Sequence, residues 1–233
     1  MGRIVAIAGG DLTSTEKLNM HTIKLSNKTN PNVLFIGTAS GDAKDYIEEI
    51  KTAFDLLGCE VKALCLCSDD PDNNETDSLL SWADIIYVGG GDTVSMMQTW
   101  KLRGFDVRLK NIFENDTAVL TGLSAGASCW FNCGHSDSES FHKEDNWDFC
   151  WANGMLDIIH LAYCPHYDEE GRNSFDEMLA VKNMPGLAME NNTAFVENNG
   201  KQYFIRSIPN AKAYSIQYVN GIVEKQEVEF EII

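Results

Sequence analysis

TAVLTGLSAGASCW, residues 117–130, is the stretch that decides how the chain is read. Ala118, Val119 and Leu120 are interior-seeking residues. They run straight into Gly122-Leu123-Ser124-Ala125-Gly126, and a small-residue, helix-compatible run follows. One reason for a serine boxed between glycines is packing, because small residues let a helix lie close to a sheet. The other is chemistry. In a G-x-S-x-G elbow the serine occupies a strained strand-to-helix turn that pushes its hydroxyl out of the sheet, with glycine needed on both sides. The pattern alone does not separate the two.

Outward from this stretch, short apolar runs alternate with helical patterns. RIVAIA (3–8) reads as a strand running into Gly9-Gly10, and NVLFIG (32–37) as a second. Residues 42–57 carry Tyr46, Ile50, Ala53, Phe54 and Leu57 at helical spacing, closed by Gly58. CEVKALCL (59–66) is a strand, and ADIIYV (83–88) another that ends on Gly89-Gly90-Gly91 before a helix over 93–100. Strands apolar on both faces, alternating with helices, imply a parallel sheet covered by helices. The C-terminal third changes character. Residues 193–205 hold two strand-like runs around Asn198-Asn199-Gly200, and QYVNGIVEK (217–225) carries the Asn220-Gly221 signal of a type I′ hairpin. Both are expected as antiparallel strands added to the sheet edge, in one α/β domain spanning 1–233, because neither a repeat nor a linker interrupts the chain.

The chain has 233 residues, 44% of them hydrophobic, and a formal charge of −17. That charge repels phosphate backbones and anionic membrane surfaces, so neither nucleic acid nor membrane is expected as a partner. No apolar run approaches the roughly 18 residues of a membrane span. A soluble cytoplasmic protein, monomeric or homodimeric, is the expectation. Seven cysteines follow no disulfide spacing. Cys129, Cys133 and His135, completed by Cys164 and His166, could be drawn as a metal site, but the spacing barely meets the usual zinc pattern and free thiols are preferred.

The glycine turn at 89–91 lacks both G-x-G-x-x-G and Gly-Lys-[Ser/Thr], so a nucleotide cradle is a poor reading. It can instead aim a backbone N–H at a carbonyl oxygen, with the N–H of Ala125 as the second donor of an oxyanion hole. A nucleophilic serine needs a base. His21 reads as a solvated surface residue, His135 and His142 as members of a charged loop (GHSDSESFHKEDNWD, 134–148), and His160 as a core residue. His166, in LAYCPHYDEEG (161–171), stands at the exit of a buried strand, where site residues collect in parallel sheets.

Five features in order resemble the dipeptidase E (aspartyl dipeptidase) and cyanophycinase family of serine peptidases. They are the strand–GGG–Asp–Thr turn at 84–93, the G-x-S-A-G-A elbow at 122–127, and Pro165-His166 with its acidic tail. Gly171-Arg172 before a helix and Gly186-Leu-Ala-Met-Glu190-Asn-Asn-Thr-Ala194 before a strand complete them. The resemblance covers roughly residues 30–215 and implies a class I glutamine amidotransferase-like α/β fold. It also implies Ser124 as nucleophile, His166 as base and Glu190 as its orienting carboxylate, with Asp145 and Asp148 as rivals for the last role. Gly90, Gly91 and Ala125 would form the oxyanion hole, and Arg172 would meet the acidic side chain of peptides with N-terminal Asp. No metal or cofactor is required. The order Ser…His…Glu differs from the Ser…Asp/Glu…His of ordinary α/β-hydrolases. An esterase, an amidotransferase-like protein (whose nucleophile would be cysteine) and a non-catalytic binding module remain alternatives. The last gains from segment 132–153, where Cys133, Trp147, Cys150 and Trp151 depart from the family pattern.

Overall fold

The computed structural model describes residues 2–145, 147–182, 184–219 and 222–233. In chain order the first part comprises β1 (Arg3–Ile7), α1 (Glu16–Leu25), β2 (Asn32–Ile36), α2 (Lys44–Leu56), β3 (Glu60–Leu64), α3 (Asn73–Trp82), β4 (Ile85–Val88), α4 (Thr93–Arg103), α5 (Phe105–Asn115) and β5 (Val119–Leu123). There follow α6 (Ala125–Ser128), β6 (Phe131–Ser136), β7 (Cys150–Asn153), β8 (Ile159–Cys164), α7 (Ser174–Lys182), β9 (Gly186–Met189), β10 (Thr193–Asn198), β11 (Lys201–Arg206), β12 (Ala213–Val219), β13 (Ile222–Glu227) and β14 (Phe230–Glu231).

The apolar runs of the first half become neighbouring parallel strands, in the order β1-β5-β4-β2-β3. Successive side chains of a strand face opposite sides, so each strand feeds two cores. Leu120, Ile86, Ile36 and Ile4 join Trp100, Phe105 and Leu80 of α4, α5 and α3 on one face. Val119, Ile85, Phe35 and Val5 join Leu18 of α1 and Ile50 and Phe54 of α2 on the other. Double burial explains why β1, β2, β4 and β5 read as continuous apolar runs rather than as alternation, whereas the edge strand β3 exposes Glu60 and Lys62.

The C-terminal strands divide between two sheets, which the sequence does not foretell. β10 adds antiparallel to β1 and carries β11, as expected of strands on the sheet edge. β12 and β13 belong instead to a second sheet of order β13-β12-β9-β8-β6-β7. They pair antiparallel, Val219 opposite Ile222, while the Asn220-Gly221 turn lies outside the described residues. Phe131 and Tyr163 of the second sheet stack with ring centroids 4.1 Å apart in the core that also holds Leu120. α7 covers the far side, where Phe175 and Leu179 meet Ala162 and Ala188. The two ends of segment 132–153 form an antiparallel pair, β6 with β7, and the stretch between them is a connection that contains no strand among its described residues. Among the described residues no helix is long and apolar enough to cross a membrane.

Candidate active site

β5 lies between β1 and β4, and Ser124 follows its carboxyl end, partly exposed. Ser124 has φ 58 and ψ −111, a conformation that costs a non-glycine residue on the order of 1–3 kcal/mol. The surroundings enforce it. Its N–H donates to Ile7 O at 3.0 Å, and its carbonyl accepts from Ala127 and Ser128 at 3.0 and 2.8 Å, opening α6. The flanking glycines are needed for close approach: a Cβ on Gly122 would lie 2.3 Å from Gly126 O, and one on Gly126 would lie 2.1 Å from Val88 O. Packing and chemistry are thus one device. The helix presses on β4, and that pressure turns the serine outward.

His166 follows β8 with φ 54, and its Nε2 stands 2.7 Å from Ser124 Oγ. Its Nδ1 faces Asn191 Oδ1 at 2.7 Å and Glu169 Oε1 at 3.2 Å. Gly9 makes room for this pair, since a Cβ there would meet Asn191 Oδ1 at 2.0 Å and His166 Nδ1 at 2.3 Å. Glu190 is elsewhere. Its carboxylate accepts from the Lys212 N–H at 2.8 Å while its own N–H donates to Lys212 O at 3.0 Å. Glu190 therefore does not face His166, and the side chain that does is its neighbour Asn191, an amide in the turn between β9 and β10. Asp145 and Asp148 are exposed, and neither is bonded to His166 among the described residues. Sequence reasoning missed Gly9, Asn191 and Glu169. Gly9-Gly10 at the end of a buried strand was the available signal for the first.

The turn after β4 lies against the serine, with a Cβ on Gly90 falling 3.4 Å from Ser124 Cβ. The Gly90 N–H, however, points at the Tyr46 hydroxyl at 3.3 Å, so of the two glycines Gly91 is the one left to offer a donor. Ala125 is the first residue of α6, where N–H groups have no intrahelical acceptor. Asp92 caps α4 by accepting from Val94 and Ser95. Burial pushes its carboxyl up, but hydrogen bonds from Ser95, Ser138 and His142 outweigh burial and hold it below the usual range.

Arg172 is not on an open rim. It is 3% exposed; Nη2 donates to Asp137 Oδ2 at 2.9 Å, and the guanidinium lies 4.7 Å from the Phe149 ring. Its Nε and Nη1 are buried without a partner. His135 stacks on the same ring and is buried in β6, not in a loop. Ser174 Oγ donates to Gly171 O at 2.7 Å, so His135 Nε2, 2.9 Å away, must be the donor to Ser174. Burial, reinforced by the Arg172 charge, drives the His135 pKa down to about 3. His160 is exposed beside Asp157 rather than in the core, and His21 is hydrogen-bonded to Tyr203.

The cysteines do not converge. Cys129 Sγ donates to Gly126 O, Cys133 Sγ lies against Met184, and Cys164 is buried beside Arg172 O. All seven are unpaired, and the described residues include no cluster of three or more His, Cys, Asp or Glu placed to hold a metal ion.

Residues 4–205 match the model of peptidase family S51. The chain is 30% identical over 223 residues to the uncharacterized peptidase YgaJ of Bacillus subtilis, covering 93% of this chain and 92% of that one. Its fold is similar to the crystal structure of a peptidase from an acI-B1 Actinobacterium, with TM-score 0.71, 22% identity, and 99% and 95% of the two chains covered. A protein of Listeria monocytogenes assigned as a peptidase E superposes with TM-score 0.68 at 20% identity over 88% of this chain and 98% of that one. A serine held outward on a strained elbow with a histidine on its hydroxyl fits this company, and the chain belongs to peptidase family S51, as a serine peptidase.

Proposed function

We propose that the protein hydrolyses short peptides by acyl transfer through Ser124, with N-terminal Asp preferred. The observation that carries the reading is the 2.7 Å contact between Ser124 Oγ and His166 Nε2 on a strained elbow. His166 takes the serine proton as Oγ attacks the peptide carbonyl carbon. The N–H groups of Ala125 and Gly91 hold the oxyanion. His166 then returns the proton to the leaving amine, and water repeats the cycle on the acyl-enzyme. The Asp preference rests on Arg172, whose buried guanidinium keeps two donors, Nε and Nη1, without a partner. An arginine fork suits a carboxylate better than a lysine does. Asp137 is the internal competitor for that fork, and an acidic substrate side chain has to displace it.

A fluorophosphonate, read by intact mass, should add once to the wild type and not to Ser124→Ala. Cleavage of p-nitrophenyl esters without any peptide cleavage would overturn the peptidase reading in favour of an esterase. The specificity is read from the ratio of Asp-Leu to Ala-Leu cleavage. Asp137→Asn should raise that ratio several-fold, and Arg172→Ala should bring it near one. A ratio unchanged in both variants places specificity elsewhere.

A further inference from the structure

We infer that Asn191 and Glu169 divide between them what a single carboxylate does in an ordinary triad: Asn191 fixes the tautomer of His166, and Glu169 supplies the charge that supports the imidazolium. The inference rests on the reading of Ser124 and His166 as nucleophile and base. With the Ser124 hydroxyl donating to Nε2, the resting imidazole carries its proton on Nδ1, which donates to Asn191 Oδ1 at 2.7 Å. The orientation of that amide is fixed from behind. Its Nδ2 donates to Glu169 Oε1 at 3.1 Å and to Asp168 Oδ2 at 3.3 Å, and its backbone N–H donates to Asp168 Oδ1 at 2.8 Å. Turned over, the amide would set N–H against N–H on one side and oxygen against two carboxylates on the other.

A neutral carbonyl orients a ring but cannot neutralise it, and hydrogen bonds to a charged group are roughly twice as strong as neutral ones. Glu169 Oε1, 3.2 Å from Nδ1, is the carboxylate in reach. It is held there by the turn that carries the base, in which the Glu169 N–H donates to His166 O at 2.9 Å. The division is forced by the setting. A carboxylate at position 191 would face Asp168 and Glu169 at about the distances where the amide now donates, and like charges so close disfavour ionisation. Both residues act through His166 and are positioning residues.

The test measures kcat, KM and the pH dependence of kcat/KM on a peptide substrate, with fluorophosphonate labelling alongside. Glu169→Gln should lower kcat about 10- to 100-fold with little change in KM. It should also move the acid limb of the profile to lower pH, because an imidazolium without its carboxylate loses its proton more readily. Asn191→Asp alone should bring no gain, whereas Asn191→Asp added to Glu169→Gln should recover most of the lost rate and return the acid limb. Glu169 is half exposed, so the variant should fold, and circular dichroism checks it. Wild-type labelling at Ser124 with Glu169→Gln unchanged in rate and profile would overturn the inference alone. A loss that the added Asn191→Asp does not repair would give Glu169 a merely structural role and also overturn it. A wild type that fails to label at Ser124 removes the reading beneath it.

Discussion

The nucleophile and the base are held by opposite means. Ser124 is fixed by backbone: hydrogen bonds to Ile7, Ala127 and Ser128, and two glycines that admit no side chain. His166 is fixed by side chains, through a half-exposed mesh of Asp168 and Glu169 from the turn after β8 and Asn191 from the turn after β9. The first arrangement withstands most surface substitutions but no added atom. The second survives added atoms at its rim but depends on charge. The site joins a stiff half to a tunable one, and mutational effects should divide the same way.

The comparison is broken first by removing the base. His166→Ala should cost roughly 10⁴–10⁶-fold in kcat, and adding Ser124→Ala should lower the rate little further, because residues acting as a unit are not additive. Steady-state peptide hydrolysis measures both. Next comes Gly9→Ala, whose methyl would occupy the space of Asn191 Oδ1 and His166 Nδ1. A displacement of about 1 Å at the base should cost on the order of 10²-fold in kcat, with the melting temperature nearly unchanged.

A third prediction concerns pH and stability. His135 titrates near 3 in the fold and near 6.5 when unfolded, so below pH 6.5 the unfolded chain binds the additional proton. The stabilisation is complete above pH 6.5 and is lost as pH falls toward 3, at up to about 1.4 kcal/mol per pH unit. Urea unfolding at pH 7 and pH 5 should show a smaller drop for His135→Gln than for the wild type. The smallest effect is expected at Glu190. Glu190→Gln keeps an acceptor for the Lys212 N–H, so stability should fall by no more than about 1 kcal/mol and kcat should stay within roughly threefold. A hundredfold loss there would return Glu190 to the triad.

The elbow and the parallel half were legible because their information is local: doubly buried strands announce themselves as apolar runs, and a strained turn announces itself in glycine. The second sheet was not legible. β9 sits between β8 and β12, strands separated from each other by some fifty residues, and QYVNGIVEK carries the same hairpin signal whichever sheet receives it. Glu190 and Asn191 both lie in the short connection between β9 and β10, and which of the two meets His166 is decided by how that connection turns, which the residue types alone do not specify. Glu169 was hidden among Asp168 and Glu170, equal candidates until the turn chooses. Arg172 reads as a helix-start residue, and only the packing of Phe149 and Asp137 shows it to be interior.

Within Glu190, Asn191 and Asn192 the chain passes from β9 in one sheet to β10 in the other, and the Asn192 N–H donates to Gly9 O at 2.9 Å at the crossing. Turnover is therefore a gauge of whether the two sheets remain docked. Fraying at β13 or β14 leaves the gauge untouched, whereas any sub-global opening that parts the sheets draws the imidazole away from the hydroxyl. In mild denaturant the protein should fall silent while amide protons in β1, β4 and β5 still exchange slowly, so that activity reports the weaker cooperative unit and hydrogen exchange the stronger.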